Sequence, residues 1–293
     1  MNRTNKLILL IAVVIALLTL LVAASEMGLL TDTNNYNVNL TELNEELTLD
    51  MSNWKYDEKN NIYYQLGLPY CTNPEDTEYE SLGIYVPGDY FKSEKNANGT
   101  YTCTVIDGHV GNYSESTAPI VMPINTAGYS AQKAPTRYDA KEVKDYLDEG
   151  FIYVNAGCRG RENGDYSGGA PWGVTDLKAA VLYLKFNDDT LPGDSQRIFS
   201  FGHSGGGAQS AILGASGDSE LYIPYLESIG AALIDRNGNK LSDSICGAMC
   251  WCPIISLDTA DEAYEWTMGQ YSSEGTRGNG TWTNALSDDL ALS

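Results

Sequence analysis

The chain has 293 residues, with 18 Lys plus Arg against 39 Asp plus Glu, a net charge of −21. Hydrophobic residues make up 43%, enough for a sizeable core, which excludes a wholly disordered chain. The acid excess excludes a binder of phosphate backbones, which needs clustered Lys and Arg, so no nucleic-acid partner is expected.

Arg3 and Lys6 precede an apolar run, residues 7–24, broken only by Thr19. A signal-peptide core takes about 7–15 residues and a membrane span about 20, and the run falls between them. Two readings of residues 1–24 stay open: a signal peptide cleaved after Ala24, or a membrane anchor through residues 7–24. Both predict an extracellular or cell-surface location. Residues 25–58 are rich in Asn, Thr and acids and read as a polar spacer with a short helix near 40–49. That leaves 59–293 as the folded domain.

From there strands and helices alternate. Residues 62–71 and 81–87, rich in Tyr and Ile and bounded by Pro and Gly, read as strands. Residues 118–124 form a short apolar run before a polar loop. Residues 140–147 have helical spacing and end at Gly150, and 151–155 are a buried strand. Residues 171–186 read as a helix with Pro171 at its start and Leu177, Val181 and Leu184 on one face. Two more strands follow, 197–201 and 245–255. Helices between strands predict an α/β fold with a mostly parallel sheet covered on both faces.

Of six cysteines, Cys71 and Cys103 lie in strand-like stretches and are the candidate disulfide, which an exported protein permits. Cys246, Cys250 and Cys252 read as buried free thiols on one face of a strand. They lack the His or CxxC pairs of a metal site, so neither metal nor cofactor is expected.

Gly202-His203-Ser204-Gly205-Gly206 is a G-x-S-x-G motif with a predicted strand running in and a small-residue helix, 207–213, running out. That context predicts a sharp corner that raises the Ser204 hydroxyl above the sheet edge as a nucleophile. The Gly205 amide then faces the position of an oxyanion. A second donor is expected from the loop after the earlier strand, Met122-Pro123-Ile124-Asn125-Thr126-Ala127-Gly128-Tyr129, at the amide of Ala127 or Gly128. Arg159 and Arg161 either approach an anionic substrate or pair with local acids. Asp258 and Asp261 either supply a triad acid or cap a helix.

With these pieces in hand, the chain resembles the bacterial tannase-like esterases, a secreted branch of the α/β-hydrolase fold near the feruloyl esterases. The resemblance rests on Tyr70-Cys71-Thr72-Asn73-Pro74, Ser81-Leu82-Gly83-Ile84-Tyr85-Val86-Pro87, the 122–129 loop and Gly157-Cys158-Arg159-Gly160-Arg161. It continues through Ala170-Pro171, Asp176-Leu177-Lys178-Ala179-Ala180, the serine corner and Cys252-Pro253-Ile254 to Ala263-Tyr264-Glu265-Trp266. It implies a serine hydrolase that forms an acyl-enzyme on a small-molecule ester, gallate- or feruloyl-like. An α/β-hydrolase orders its triad Ser, acid, His, yet both histidines, His109 and His203, precede Ser204. The expectation is therefore a chain lacking its C-terminal strands and lid, and nearly inactive without a base. Three other readings stay open. One is a non-catalytic extracellular binding protein on the same fold, another a site rewired through His109. The third is a serine exopeptidase, which shares the corner but usually carries a large N-terminal domain.

Overall fold

In a computed structural model, the described residues are 45–163 and 168–255, with the backbone of two further strands. Eleven strands precede that pair: β1 (Lys55–Asp57), β2 (Ile62–Pro69), β3 (Ser81–Pro87), β4 (Phe91–Lys95), β5 (Tyr101–Val105), β6 (His109–Val110), β7 (Tyr113–Ser114), β8 (Ile120–Ile124), β9 (Ile152–Ala156), β10 (Ile198–His203) and β11 (Gly247–Trp251). The helices are α1 (Ala140–Asp148), α2 (Trp172–Phe186), α3 (Gly205–Ala215) and α4 (Ile223–Ser228). The last pair, β12 (Glu274–Arg277) and β13 (Gly280–Thr283), forms an antiparallel hairpin. Residues 1–44, with the expected export segment, and Asp258 and Asp261 lie outside the described residues.

Seven strands form one sheet in the order β1-β2-β3-β9-β8-β10-β11. The expected mostly parallel sheet is corrected to a mixed one. β9, β8, β10 and β11 run parallel, whereas β1, β2, β3 and β9 are antiparallel neighbours. The cause lies in the connections. Each parallel step is bridged by a helix, and the connections between β1, β2 and β3 contain none, so those strands return antiparallel.

Alternation along the central strands builds two cores. Leu82, Ile84, Val86, Ile120, Met122, Ile152 and Val154 point to one face, where α2 and α3 contribute Leu177, Leu184 and Leu213. Tyr85, Val121 and Tyr153 point to the other and meet Val143 and Leu147 of α1. The helix after β8 thus covers one face and the helix after β10 the other. Adjacent strands whose connections leave on opposite faces open a crevice at their carboxyl ends. This switch point lies between β8 and β10.

Four further expectations change. The spacer read as 25–58 is structural from residue 45 onward: Leu47, Leu49 and Trp54 are core residues, and the Leu49 amide donates to Asn187 Oδ1 at 2.8 Å. Helix α2, read as one-sided, is buried nearly all round because it packs between the sheet, α3 and α4. Its charges are partnered: Lys178 Nζ donates to Asp243 Oδ1 at 2.9 Å and Lys185 Nζ to the Ser244 carbonyl at 2.7 Å.

The Cys71–Cys103 disulfide does not form. Cys103 belongs to the separate β4–β5 hairpin, whereas Cys71 bridges to Ala231 and faces Glu80 Oε1 at 3.9 Å. Both are buried free thiols, and burial pushes Cys103 up to about 12. Cys246, Cys250 and Cys252 are free but not buried. Of the three, Cys250 lies within β11, an end strand of the sheet among the described residues, and Cys252 leaves it with φ 45°. Among the described residues no helix is long and apolar enough to cross a membrane.

Candidate functional site

Strand β10 ends at His203 and helix α3 begins at Gly205, so one residue turns the corner. Ser204 has φ 57° and ψ −121°, a left-handed φ that side chains avoid. Strain of this kind persists only where the surroundings over-determine it. Here the Ser204 amide donates to the Trp251 carbonyl of β11 at 2.9 Å, and its carbonyl accepts from the Ala208 amide at 3.0 Å. The glycines let backbones meet. A Cβ on Gly206 would lie 2.0 Å from the Ile124 carbonyl oxygen, and one on Gly202 2.6 Å from the same atom. Ser204 is half-buried, and its hydroxyl bonds to no described residue.

The loop after β8 makes a single turn of 3₁₀ helix, Ala127–Tyr129, in which Gly128 and Tyr129 both have φ 62°. Among the described residues the amides of Ala127 and Gly128 make no backbone hydrogen bond, while those of Tyr129 and Ser130 close the turn. The turn rests on Gly205. A Cβ there would meet the Thr126 oxygen at 2.4 Å and the Gly128 amide nitrogen at 2.9 Å. The Tyr129 hydroxyl donates to the Ile254 carbonyl, tying the turn to the chain beyond β11. Ser204, Gly205, Ala127 and Gly128 therefore converge at the crevice between β8 and β10. The Gly205 amide belongs to the first turn of α3, whose N–H groups have no helical partner. Free amides on two segments beside one hydroxyl can stabilise charge developing on an oxygen held there.

The histidines do not join this group. His203 is exposed on β10 itself. His109 lies on the β6–β7 hairpin at the amino ends of the parallel strands, where a Cβ on Gly150, just before β9, would meet the Val110 oxygen at 2.4 Å. The full length of β8 separates His109 from the corner, which corrects the reading that routes a site through it.

The two arginines diverge. Arg159 is only 1% exposed. Its Nη2 meets Asp176 Oδ1 at 2.7 Å, and its Nε and backbone amide donate to Asp176 Oδ2 at 3.0 and 2.8 Å. Glu80 Oε1 stands 3.4 Å from Nη2, and the Trp172 ring lies under the guanidinium at 4.4 Å. Arg159 is a structural ion pair, not a substrate contact. Burial raises the Asp176 carboxyl against the pull of Arg159. Burial first, then the Asp176 charge, moves Glu80 from 4.5 to about 7. Arg161 is exposed, with its guanidinium 3.7–4.0 Å from the place of a Gly128 Cβ.

Sequence reasoning missed Glu80, Thr126, Gln132 and Gln209. Gln132 pairs its backbone with Cys158 at 2.9 and 2.8 Å, and its side chain donates to the Ala156 carbonyl at 2.6 Å. A loop glutamine gives no signal of this in the sequence. Among the described residues no group of His, Cys, Asp and Glu is placed to hold a metal ion.

Residues 106–244 match the BD-FAE family model. The tannase of Fusobacterium nucleatum is 38% identical with a TM-score of 0.57, over 70% of this chain and 40% of that one. The native tannin acyl hydrolase of Lactobacillus plantarum is 30% identical with a TM-score of 0.64, over 83% of this chain and 54% of that one. A tannin acyl hydrolase in complex with ethyl gallate is 30% identical with a TM-score of 0.64, over 84% and 54%. The chain thus spans about half the length of the tannases it resembles. No curated protein sequence matches it. Matching family model, sheet order and serine corner together make the chain a member of the tannase- and feruloyl-esterase-like α/β-hydrolases.

Proposed function

We propose that the chain carries the nucleophile and the oxyanion site of an ester hydrolase acting on aromatic-acid esters, gallate- or feruloyl-like. The observation that carries this reading is the left-handed Ser204 at the carboxyl end of β10, beside the unbonded amides of a second loop. In this reading the Ser204 oxygen attacks the ester carbonyl, and the carbonyl oxygen takes the charge against the amides of Gly205 and of Ala127 or Gly128. The alcohol leaves with the proton that Ser204 gives up, and water then splits the acyl-serine ester, releasing the acid and returning a proton to the Ser204 oxygen. The gallate ester held by the related hydrolase supports the aromatic substrate class. Residues 7–24 support export, by cleavage or by anchoring.

No histidine follows Ser204, and the two present do not reach it. We therefore expect the 293-residue chain to turn over esters slowly, since loss of a triad member costs up to about 10⁶-fold. The test is exposure to a fluorophosphonate followed by mass spectrometry. The expected result is a slow adduct on Ser204, absent in Ser204→Ala, with only traces of p-nitrophenyl acetate hydrolysis. An adduct rate unchanged by Ser204→Ala overturns the nucleophile. Fast turnover abolished by Ser204→Ala keeps the nucleophile and overturns the missing base.

A further inference from the structure

The corner brings together two amide-bearing segments that are distant in the chain, the turn after β8 and the start of α3. A buried polar pair joins them. Thr126 is 0% exposed and Gln209 is 4% exposed, and the threonine hydroxyl donates to the side-chain oxygen of Gln209. Thr126 immediately precedes Ala127. Gln209 lies one helical turn after Gly205, so its side chain moves with that amide.

The other anchors of the turn lead elsewhere. Gln132 ties it to β9, accepting from the Asn125 amide at 2.5 Å while donating to the Ala156 carbonyl. The Tyr129 hydroxyl ties it to Ile254. Among the described residues, the Thr126–Gln209 bond is the side-chain link from the turn to α3. Below it the two backbones touch without cross-bonding, as the close approaches at Gly205 and Gly206 show.

Two donors serve one oxygen only when both stand about 2.7–3.1 Å from it at once, and a displacement of about 1 Å forfeits much of the effect. We propose that Thr126 and Gln209 are positioning residues: their buried hydrogen bond holds the Ala127 and Gly128 amides at a fixed distance from the Gly205 amide, so the two segments act as one oxyanion site. The inference rests on the proposed ester chemistry for its purpose but not for its measurement. The pair carries no net charge, so it adds no ionic pull on the oxyanion position. Breaking it leaves a buried amide without its partner.

The test compares Thr126→Val, which keeps the shape and loses the hydroxyl, with Thr126→Ser, which keeps the hydroxyl, in the full chain. Amide hydrogen exchange is expected to rise at least tenfold in residues 125–130 and 204–208 for Thr126→Val. It should stay unchanged in β2 and β3 and return to the parent level in Thr126→Ser. Gln209→Met should reproduce the loss and supplies the readout if Thr126→Val does not fold. Unchanged exchange in either folded variant overturns the proposal. The rate of fluorophosphonate adduct formation on Ser204 should fall about tenfold in Thr126→Val and recover in Thr126→Ser. Faster exchange with an unaltered adduct rate also overturns it, because the bond would then be structural alone. No adduct in the parent chain would overturn the nucleophile reading, while the exchange comparison still decides whether the bond holds the two segments together.

Discussion

Two tightly packed regions flank the ends of the parallel strands, and they are held in opposite ways. At the serine corner, packing comes from side chains that are missing: Gly202 and Gly206 let α3 press on the carbonyl of Ile124. Around Arg159 it comes from charges, with one guanidinium shared between Asp176 and Glu80 over the Trp172 ring. The first region has no alternative arrangement, because any added atom strikes backbone. The second tolerates different atoms provided that charge stays balanced, since a buried ion pair replaced as a unit by apolar groups is often neutral.

The largest effect should follow from unbalancing the ionic region. Arg159→Met leaves Asp176 and Glu80 buried without their cation and should cost about 3–5 kcal/mol by urea denaturation. A loss below about 1 kcal/mol would mean that the carboxyls protonate freely and that charge does not hold the region. Gly206→Ala probes the other mode. With no room for the methyl group, it should cost about 3 kcal/mol and slow the Ser204 adduct in proportion. Full stability there would show that the corner can spread.

The smallest effect is one of pH. Glu80 titrates at about 7 in the folded chain against 4.5 ordinarily. Between those values the folded state binds more protons than the unfolded one, so stability falls as pH rises. Across that window the loss should be on the order of 2 kcal/mol, measured as urea midpoints. Glu80→Gln should flatten the slope. An equal slope in the variant would assign it to other groups.

The two regions also differ in what the sequence discloses. The serine corner is legible because its needs are local. A strand running into G-x-S-x-G and a small-residue helix running out place the bend within a residue or two. Apolar runs bounded by Pro and Gly likewise locate β3, β8, β9 and α1 closely. The strand expected at 245–255 is shorter, Gly247–Trp251, because Cys252 turns out of the sheet. The ionic region is opaque. Arg159 finds Asp176 and Glu80 at separations that follow no helical or strand period, so the sequence leaves its partners unnamed even where it suggests an ion pair. Thr126 and Gln209 are hidden for the same reason, being neighbours only after the sheet has formed. The antiparallel half of the sheet is not legible in the alternation, because hairpin return shows only in the connections.

The amide of Ser204 is bonded to the carbonyl of Trp251, the last residue of β11. A ribosome delivers the serine well before it delivers that partner. The bond that ties the Ser204 bend to β11 therefore cannot close until the chain has grown past residue 251.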